Sequence, residues 1–365
     1  ISPFLGYFMA FILNANELPA ERLVFNFLSS WKPKSQNPKE YLTSIFVFHF
    51  IIGGILFLIL FFQNYLPLNP LKLKGMNWDL ALNTSISFLT NTNWQAYSGE
   101  SQLSLFSQMV GLTPLNFLSA GVGISVLLFM GRAVFASKEI EFGNFWTDLF
   151  RSVFYILLPL SIIVSIMLVG EGVVQTFVSP IIIENPNGLI TEIPLGPVAS
   201  QVAIKQLGTN GGGFYGVNSA HPFENPSPIS NFIQLFSILL IPGACVFLYG
   251  KLVGSFRHAW TIFFVMLSVI LIAFAGVYIF ENSSPAFWEG KETRFNLTES
   301  TLWLTATTAA SNGSVNSMHD SYSPLAGGIG LFQMMLGEVI FGGVGAGMYG
   351  MFLFLILTVF LSGLM

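Results

Sequence analysis

Charge is what this sequence has least of. Of its 365 residues only 9% are Asp, Glu, Lys or Arg, where a soluble domain carries roughly 25%. With 53% hydrophobic residues, 38 phenylalanines and a mean hydropathy of +0.68, that scarcity excludes the soluble globular class and implies a polytopic membrane protein. The formal net charge of −4 is too small to argue for nucleic acid or any strongly charged partner. There is one cysteine, Cys245, inside an apolar run. It has no second thiol to pair with, and it reads as helix packing. A phosphate-binding loop, an acyl-transfer nucleophile with its base and a cluster of metal ligands are all missing. Neither catalysis nor an organic cofactor is therefore expected in this chain. No initiator methionine and no signal peptide precede the first span. The chain starts at Ile1 and stops at Met365 inside the apolar run FLFLILTVFLSGLM, so it is expected to be the middle of a longer protein.

What is present is organised by hydropathy. A bilayer span needs about 20 mostly apolar residues. Such runs lie at about 42–63, 104–131, 149–171, 232–250 and 259–280. A last apolar block covers 326–365. As a single helix its roughly 40 residues would reach about 60 Å, twice the hydrocarbon core, so it must break. The expected place is FGGVGAGMYG, Phe341 to Gly350, with Glu338 just before it at membrane depth. Basic residues set the orientation. With residues 1–40 placed inside, the inner side holds Arg22, Lys32, Lys34, Lys39, Arg132, Lys138, Arg151, Lys251 and Arg257. The outer side holds Lys72, Lys74, Lys205, Lys291 and Arg294. This bias favours 1–41 as a cytoplasmic amphipathic or linker segment.

Three segments share one plan: a span, a polar loop, a short half-polar helix, a hydroxyl residue with Asn, and another span. They read DLALNTSISFLTNTNWQAYSGE (79–100), VASQVAIKQLGTNGGGFYGVNSAHPFENP (198–226) and ESTLWLTATTAASNGSVNSMHDS (299–321). At the turn they give Thr92-Asn93, Thr209-Asn210 and Ser311-Asn312, with Thr90-Asn91 as a second register in the first. The repeats are bounded at 42–131, 132–250 and 251–365. A helix of ten to twelve residues is too short to cross. It can dip in and return, and irregular backbone at membrane depth is tolerated only inside protein or along a watery cavity. Gly211, Gly212 and Gly213 allow backbone conformations that a side chain forbids. Carbonyls, hydroxyls and amides without a carboxylate suit a monovalent cation stripped of water. A divalent ion usually recruits Asp or Glu.

The motifs LPLNP (66–70), WDLALNTSISFLTNTNWQAYSGE (78–100), LGPVASQVAIKQLGTNGGGFYGVNSAHPFENP (195–226), MHDSYSPLAGG (318–328) and GEVIFGGVGAGMYGM (337–351) resemble the KdpA family, the potassium-binding, channel-like subunits of the Kdp ATPase. The resemblance runs over nearly the whole chain. It implies an all-α polytopic membrane protein built of repeated membrane–pore–membrane units, with reentrant pore helices and filter loops. Such a protein, similar to tetrameric potassium channels and to Trk/Ktr transporters, arranges four repeats around a pseudo-fourfold axis in the bacterial cytoplasmic (inner) membrane. Potassium is selected at an outer filter and passed to KdpB, the P-type ATPase subunit, with KdpC and KdpF completing the complex. Carried residue by residue, the filter falls on Asn91, Thr92 and Asn93, on Thr209, Asn210 and Gly211, and on Ser311, Asn312 and Gly313. Gln95, Gly212 and Gly213 flank it. The break, with Glu338, Gly342, Gly343 and Gly345, is implied to be an inner gate. Family members often carry Cys where this chain has Asn312. The family's first helix and fourth repeat have no counterpart here, so function is expected of the longer parent. No Asp-Lys-Thr-Gly-Thr stretch occurs, which assigns ATP chemistry to a partner.

Other polar residues have plainer readings beside the functional ones. Lys205 is either a snorkelling or ion-paired lysine or an amine tuning the outer vestibule. Asp79 reads as a helix N-cap, Arg151 as the i, i+3 partner of Asp148, and His319-Asp320 as a structural cap. The prolines of HPFENP (221–226) make a rigid outer turn, with His221 and Glu224 near the mouth. His49 and His258 show no partner pattern. Three other function classes remain in view: a Trk/Ktr-like ion-coupled transporter, a membrane-embedded enzyme, and a scaffold subunit without a pore.

Overall fold

The computed structural model describes residues 1–15, 18–19, 21, 34–135, 142–178, 180–184, 186–188, 190–284 and 288–365. Arg22, Lys32 and Lys138, counted above on the inner side, lie outside them. Among the described residues six helices are long and apolar enough to cross a membrane: α2 (Pro38–Phe61), α4 (Ser107–Val134), α5 (Phe145–Gly170), α7 (Pro228–Val253), α8 (Phe256–Asn282) and α11 (Ala346–Leu364). Three short helices lie between them: α3 (Trp78–Leu89), α6 (Val198–Leu207) and α9 (Leu297–Ala309). Two further helices of 12 residues among the described residues are α1 (Ser2–Leu13) and α10 (Pro324–Met335), and a single helical turn covers Gly99–Gln102.

Local chemistry explains the helix starts. Asn37 with Glu40, Ser227 with Ser230 and Asn296 with Glu299 form reciprocal capping boxes at α2, α7 and α9, each satisfying two otherwise orphaned N–H groups. At α3 the N-cap position belongs to Asn77. Asp79 is an exposed first-turn residue, not the cap. Its charge still suits the positive end of the helix. A two-stranded antiparallel hairpin, β1 (Ile181–Glu184) and β2 (Ile190–Ile193), adds to the helices between α5 and α6. Its isoleucine run and the Asn-Gly turn are local β signals.

α7 is the hub. Its apolar window is 83% buried, against 22% for α2 and 28% for α8, so α7 is enclosed by protein while the others turn apolar surface outward. The segment 1–41 contains α1, which packs along α7 and buries Met9 and Leu13. Tyr7 of α1 stacks on Phe256 with centroids 5.0 Å apart.

Two largely buried ion pairs tie the helices together at one end of the bundle. Arg132 on α4 holds Asp148 on α5 through both oxygens, at 2.6 and 3.1 Å. Tyr41 of α2 donates to the same carboxylate at 3.0 Å. Arg151 is therefore not the partner of Asp148. It pairs with Glu21 and donates to the carbonyls of Leu13 and Ala15, tying the chain after α1 to α5. A long guanidinium reaches a neighbouring segment where its helical neighbour is already saturated.

Each span that precedes a short helix ends in a residue that reaches forward to the start of a later helix. Gln63, just past α2, accepts from Ser104 N at 3.1 Å and from Ser107 Oγ at 3.0 Å. Glu171, at the end of α5, accepts from Ser227 Oγ at 2.7 Å. Glu281, in α8, accepts from Ser323 N at 2.8 Å and pairs with Lys291. The last apolar block breaks as expected, but five residues earlier than the glycine-rich stretch suggested. Residues 336–345 are non-helical, so Glu338 lies inside the break, and Gly347 and Gly350 lie within α11.

Candidate functional site: three loops of carbonyls

Each short helix ends two residues after a position occupied by Ser87, Lys205 or Thr307. The carbonyl at that position collects the N–H groups of the loop that follows. Ser87 O accepts from Thr92 N (3.0 Å) and Asn93 N (3.1 Å), Lys205 O from Asn210 N (2.9 Å) and Gly211 N (3.2 Å), and Thr307 O from Asn312 N (3.0 Å). The handedness repeats too. Positive φ occurs at Asn91 (63°) and Asn93 (53°), at Thr209 (51°) and Gly211 (83°), and at Ser311 (55°) and Gly313 (80°). These two markers set the alignment: Asn91 with Thr209 and Ser311, Thr92 with Asn210 and Asn312, Asn93 with Gly211 and Gly313. Both registers considered from the Asn residues of the first loop are off by one.

Such a backbone gathers its N–H groups around the helix-end carbonyl as a nest. Among the described residues no donor is bonded to the carbonyls of Asn91, Thr92, Asn93, Asn210, Gly211, Ser311, Asn312 or Gly313. Buried carbonyls are ordinarily paired. Eight carbonyls without a protein donor, those of the exposed residues Thr92 and Gly313 among them, lie in three equivalent loops and form a set of neutral oxygens able to act as ligands.

The second loop sits between the other two. Asn91 Nδ2 donates to Gly208 O at 3.1 Å, Gln95 exchanges two bonds with the Gly213 main chain at 3.2 and 3.0 Å, and the Asn91 and Asn210 amides touch. On its other side Asn312 Nδ2 donates to Lys205 O at 3.1 Å and Ser314 Oγ to Gln206 Oε1 at 3.0 Å. Gly211 permits the approach: a Cβ there would stand 1.7 Å from Asn312 O. Thr209, Asn210, Gly211, Gly212 and Gly213 are all buried, whereas Thr92 and Gly313 are exposed. The three loops thus form an arc, with the first and third at its ends.

The break lies against this arc. Val344 N donates to Thr209 Oγ1 at 2.9 Å, and Ser311 Oγ donates to Glu338 Oε2 at 2.7 Å. Thr209 and Ser311 are equivalent residues of their loops. Glu338, Phe341, Gly342 and Gly345 all carry positive φ. Gly343 faces Thr209 and Ser311, and Gly345 presses on the main chain of Gly123 in α4. All four gate candidates therefore fall in one segment that touches two loops.

Sequence reasoning missed the supports behind the loops. On α4, Asn116 Oδ1 accepts from Asn93 Nδ2 at 2.7 Å. Ser119 Oγ donates to Asn91 Oδ1 at 2.8 Å, and the Asn210 amide lies 3.2 Å from the same hydroxyl. Asn116, Ser119 and Gly123 fall at i, i+3 and i+7 of an apolar span, a polar stripe that was a readable signal. Trp303 Nε1 and Thr307 Oγ1 both donate to Ser314 O at 2.8 Å. Lys205 is ion-paired rather than solvated: it meets Glu224, and neither side chain is exposed. Glu224 thus lies behind the second loop, not at an open mouth. His221 stacks on Tyr215 at 3.8 Å, and burial pushes its imidazole pKa down despite Glu224 and Glu100. Burial pushes His319 down to about 4, so both imidazoles are neutral at pH 7. Among the described residues no group of three or more His, Cys, Asp or Glu converges.

Comparison with known proteins follows this geometry. The family model for KdpA, described as the potassium-transporting ATPase A subunit, matches residues 1–365. A potassium-transporting ATPase potassium-binding subunit of Leptospira interrogans (serovar copenhageni) is 60% identical over 334 residues, covering 90% of this chain and 60% of that protein. Proteins of the same description from Clostridium botulinum (Eklund 17B) and Pseudomonas aeruginosa (PAO1) are 48% and 50% identical. They cover 99% and 97% of this chain, and 68% and 65% of their own lengths are matched. The chain spans about 60–68% of the length of these relatives. The crystal structure of the potassium transporter TrkH from Vibrio parahaemolyticus matches 94% of this chain and 69% of its own, with a TM-score of 0.55 at 14% identity. That likeness concerns the fold.

Proposed function

The chain belongs to the KdpA family of potassium-transporting ATPase A subunits, and from that premise we propose that it carries the potassium-selecting path of an ATP-driven uptake complex. In this reading the three loops are filter walls. Asn91, Thr92 and Asn93, Thr209, Asn210 and Gly211, and Ser311, Asn312 and Gly313 offer main-chain oxygens to a dehydrated potassium ion. The short helices α3, α6 and α9 enter the bilayer from the outer side of a bacterial cytoplasmic membrane and return. The units 42–131, 132–250 and 251–365 are the pore repeats. The observation that carries the reading is the set of carbonyls without donors, arranged in one register three times over. A cation supplies the partner those oxygens lack, and neutral dipoles suit potassium.

The segment 336–345, held by Thr209 and Ser311, is the inner gate in this proposal. Ions leave past it toward a P-type ATPase subunit, KdpB, with KdpC and KdpF as further partners. ATP is hydrolysed there, and this chain contributes selection and passage.

The test is ATP hydrolysis by the full-length protein assembled with its ATPase partner, followed against potassium concentration. Stimulation that saturates at low potassium, together with co-purification of the ATPase, is expected. Hydrolysis indifferent to potassium, or transport without any associated ATPase, would overturn the proposal and favour an independent transporter of the TrkH kind.

A further inference from the structure

The three loops are not supported alike. In the first, Ser87 Oγ donates to Trp94 O at 3.2 Å. In the third, Thr307 Oγ1 donates to Ser314 O at 2.8 Å. Each is a hydroxyl from the helix end gripping the carbonyl seven residues on. The equivalent pair in the second loop is Lys205 and Gly212. Lys205 turns instead to Glu224, and among the described residues no donor is bonded to Gly212 O.

Lys205 and Glu224 together hold both ends of this loop. The main-chain oxygen of Lys205 accepts from Asn210 N, Gly211 N and the Asn312 side chain. The second carboxylate oxygen of Glu224 accepts from Tyr215 N at 2.9 Å, at the far end of the glycine run. Gln234 of α7 donates to Glu224 O at 2.9 Å, which anchors the turn to the hub helix. Both charged side chains are fully buried. Stability alone does not account for such a pair, because apolar residues of similar volume hold buried elements together as well or better.

We propose that the Lys205–Glu224 pair positions the second loop, tying its two ends while leaving its middle carbonyl ungripped, and so sets ion preference at that wall. The inference rests on the reading of the loops as a potassium filter. The pair acts through the main chain at Asn210, Gly211 and Tyr215 and need not touch the ion. A hydroxyl at this position grips one carbonyl directly. The ion pair closes the run 205–215 as a strap, and the glycines between adjust around the ion within that fixed span.

The experiment uses the full-length protein in its ATPase complex and compares wild type with Glu224→Gln, Lys205→Met and Glu224→Asp. Four quantities are read: the half-saturating potassium, the half-saturating rubidium, the maximal rate and the amount of assembled complex. Glu224→Gln and Lys205→Met are expected to raise half-saturating potassium by about tenfold or more and to change the potassium-to-rubidium ratio, with the maximal rate per complex within about twofold. Glu224→Asp keeps both charges and shortens the strap by one methylene. It is expected to assemble and to shift the same two quantities in the same direction by a smaller factor, so the test survives if the neutral variants do not fold. Unchanged half-saturation and ratio in the variants that assemble would overturn the proposal and leave the pair a brace only. Failure of the filter reading looks different: wild-type hydrolysis is then itself indifferent to potassium. In that case potassium- and rubidium-dependent thermal stabilisation of the same proteins decides, with equal shifts in wild type and variants overturning the proposal.

Discussion

Replacing Gly211 by Ala is the sharpest perturbation of the arc. Gly211 has φ of +83°, and the three atoms nearest to an added Cβ are Asn312 O (1.7 Å), Asn312 C (2.7 Å) and Ser314 N (2.8 Å). All three are main chain, so no rotamer change relieves the clash and the second and third loops must separate. A left-handed residue that is not glycine costs about 1–2 kcal/mol, and overpacking a closed site adds about 1–3 kcal/mol. The total of about 2–5 kcal/mol falls on the arrangement that places the carbonyls. At 1.4 kcal/mol per tenfold, half-saturating potassium should rise by about 30-fold or more. The assay is potassium-stimulated ATP hydrolysis by the assembled full-length protein. The control is Gly188→Ala in the β1–β2 turn, where φ is +73° and nothing lies within 4 Å of an added Cβ. It carries the conformational cost without the clash, and its potassium dependence should match wild type. A Gly211→Ala complex that assembles normally and keeps its half-saturation within about threefold would refute the argument, because the loop contact would then have no part in holding the ion.

Two further predictions follow from buried charge and burial. Arg132→Met leaves Asp148 buried with only Tyr41 as donor, and should lower stability by about 3–5 kcal/mol, read as a fall in the thermal midpoint of the purified protein. Asp148→Asn in the same background should recover part of that loss. His319, with its imidazole held down to about 4 by burial, binds a proton more readily in the unfolded chain. Its contribution is therefore fully present above pH 6.5 and is lost as pH falls toward 4. The thermal midpoint should decline across that window, and His319→Gln should flatten the decline.

Much of the fold was legible because membrane spans announce themselves by length and apolarity. All five separate runs correspond to helices whose ends lie within a few residues of the expected ones, and the final block had to break because no bilayer accommodates it whole. The three loops after the short helices could be located in the sequence, but their mutual register could not. Matching asparagine to asparagine follows side chains, whereas the loops align by the sign of φ and by the helix-end carbonyl, so Asn93 belongs with Gly211. The pairing of Arg151 was not legible, because the i, i+3 rule describes an isolated helix and Asp148 is already held by Arg132 and Tyr41. The partners of Lys205, Gln63, Glu171 and Glu281 lie between 10 and 56 residues away, and no local pattern reveals contacts at those distances.

Those forward-reaching residues have a consequence for how the chain is made. The ties from Gln63 to Ser104, from Glu171 to Ser227 and from Glu281 to Ser323 close segments of 41, 56 and 42 residues. None requires a residue from another unit. Each span–helix–span unit therefore owns a latch that can close while later units are still being synthesised, and synthesis at about 5–20 residues per second gives each one seconds to do so. Closing a segment this short costs less entropy than joining more distant units, by about 0.6 kcal/mol for each doubling of length. Assembly of the arc then becomes the docking of preclosed modules, and a lesion in one latch should stall the chain at that module and leave the earlier ones intact.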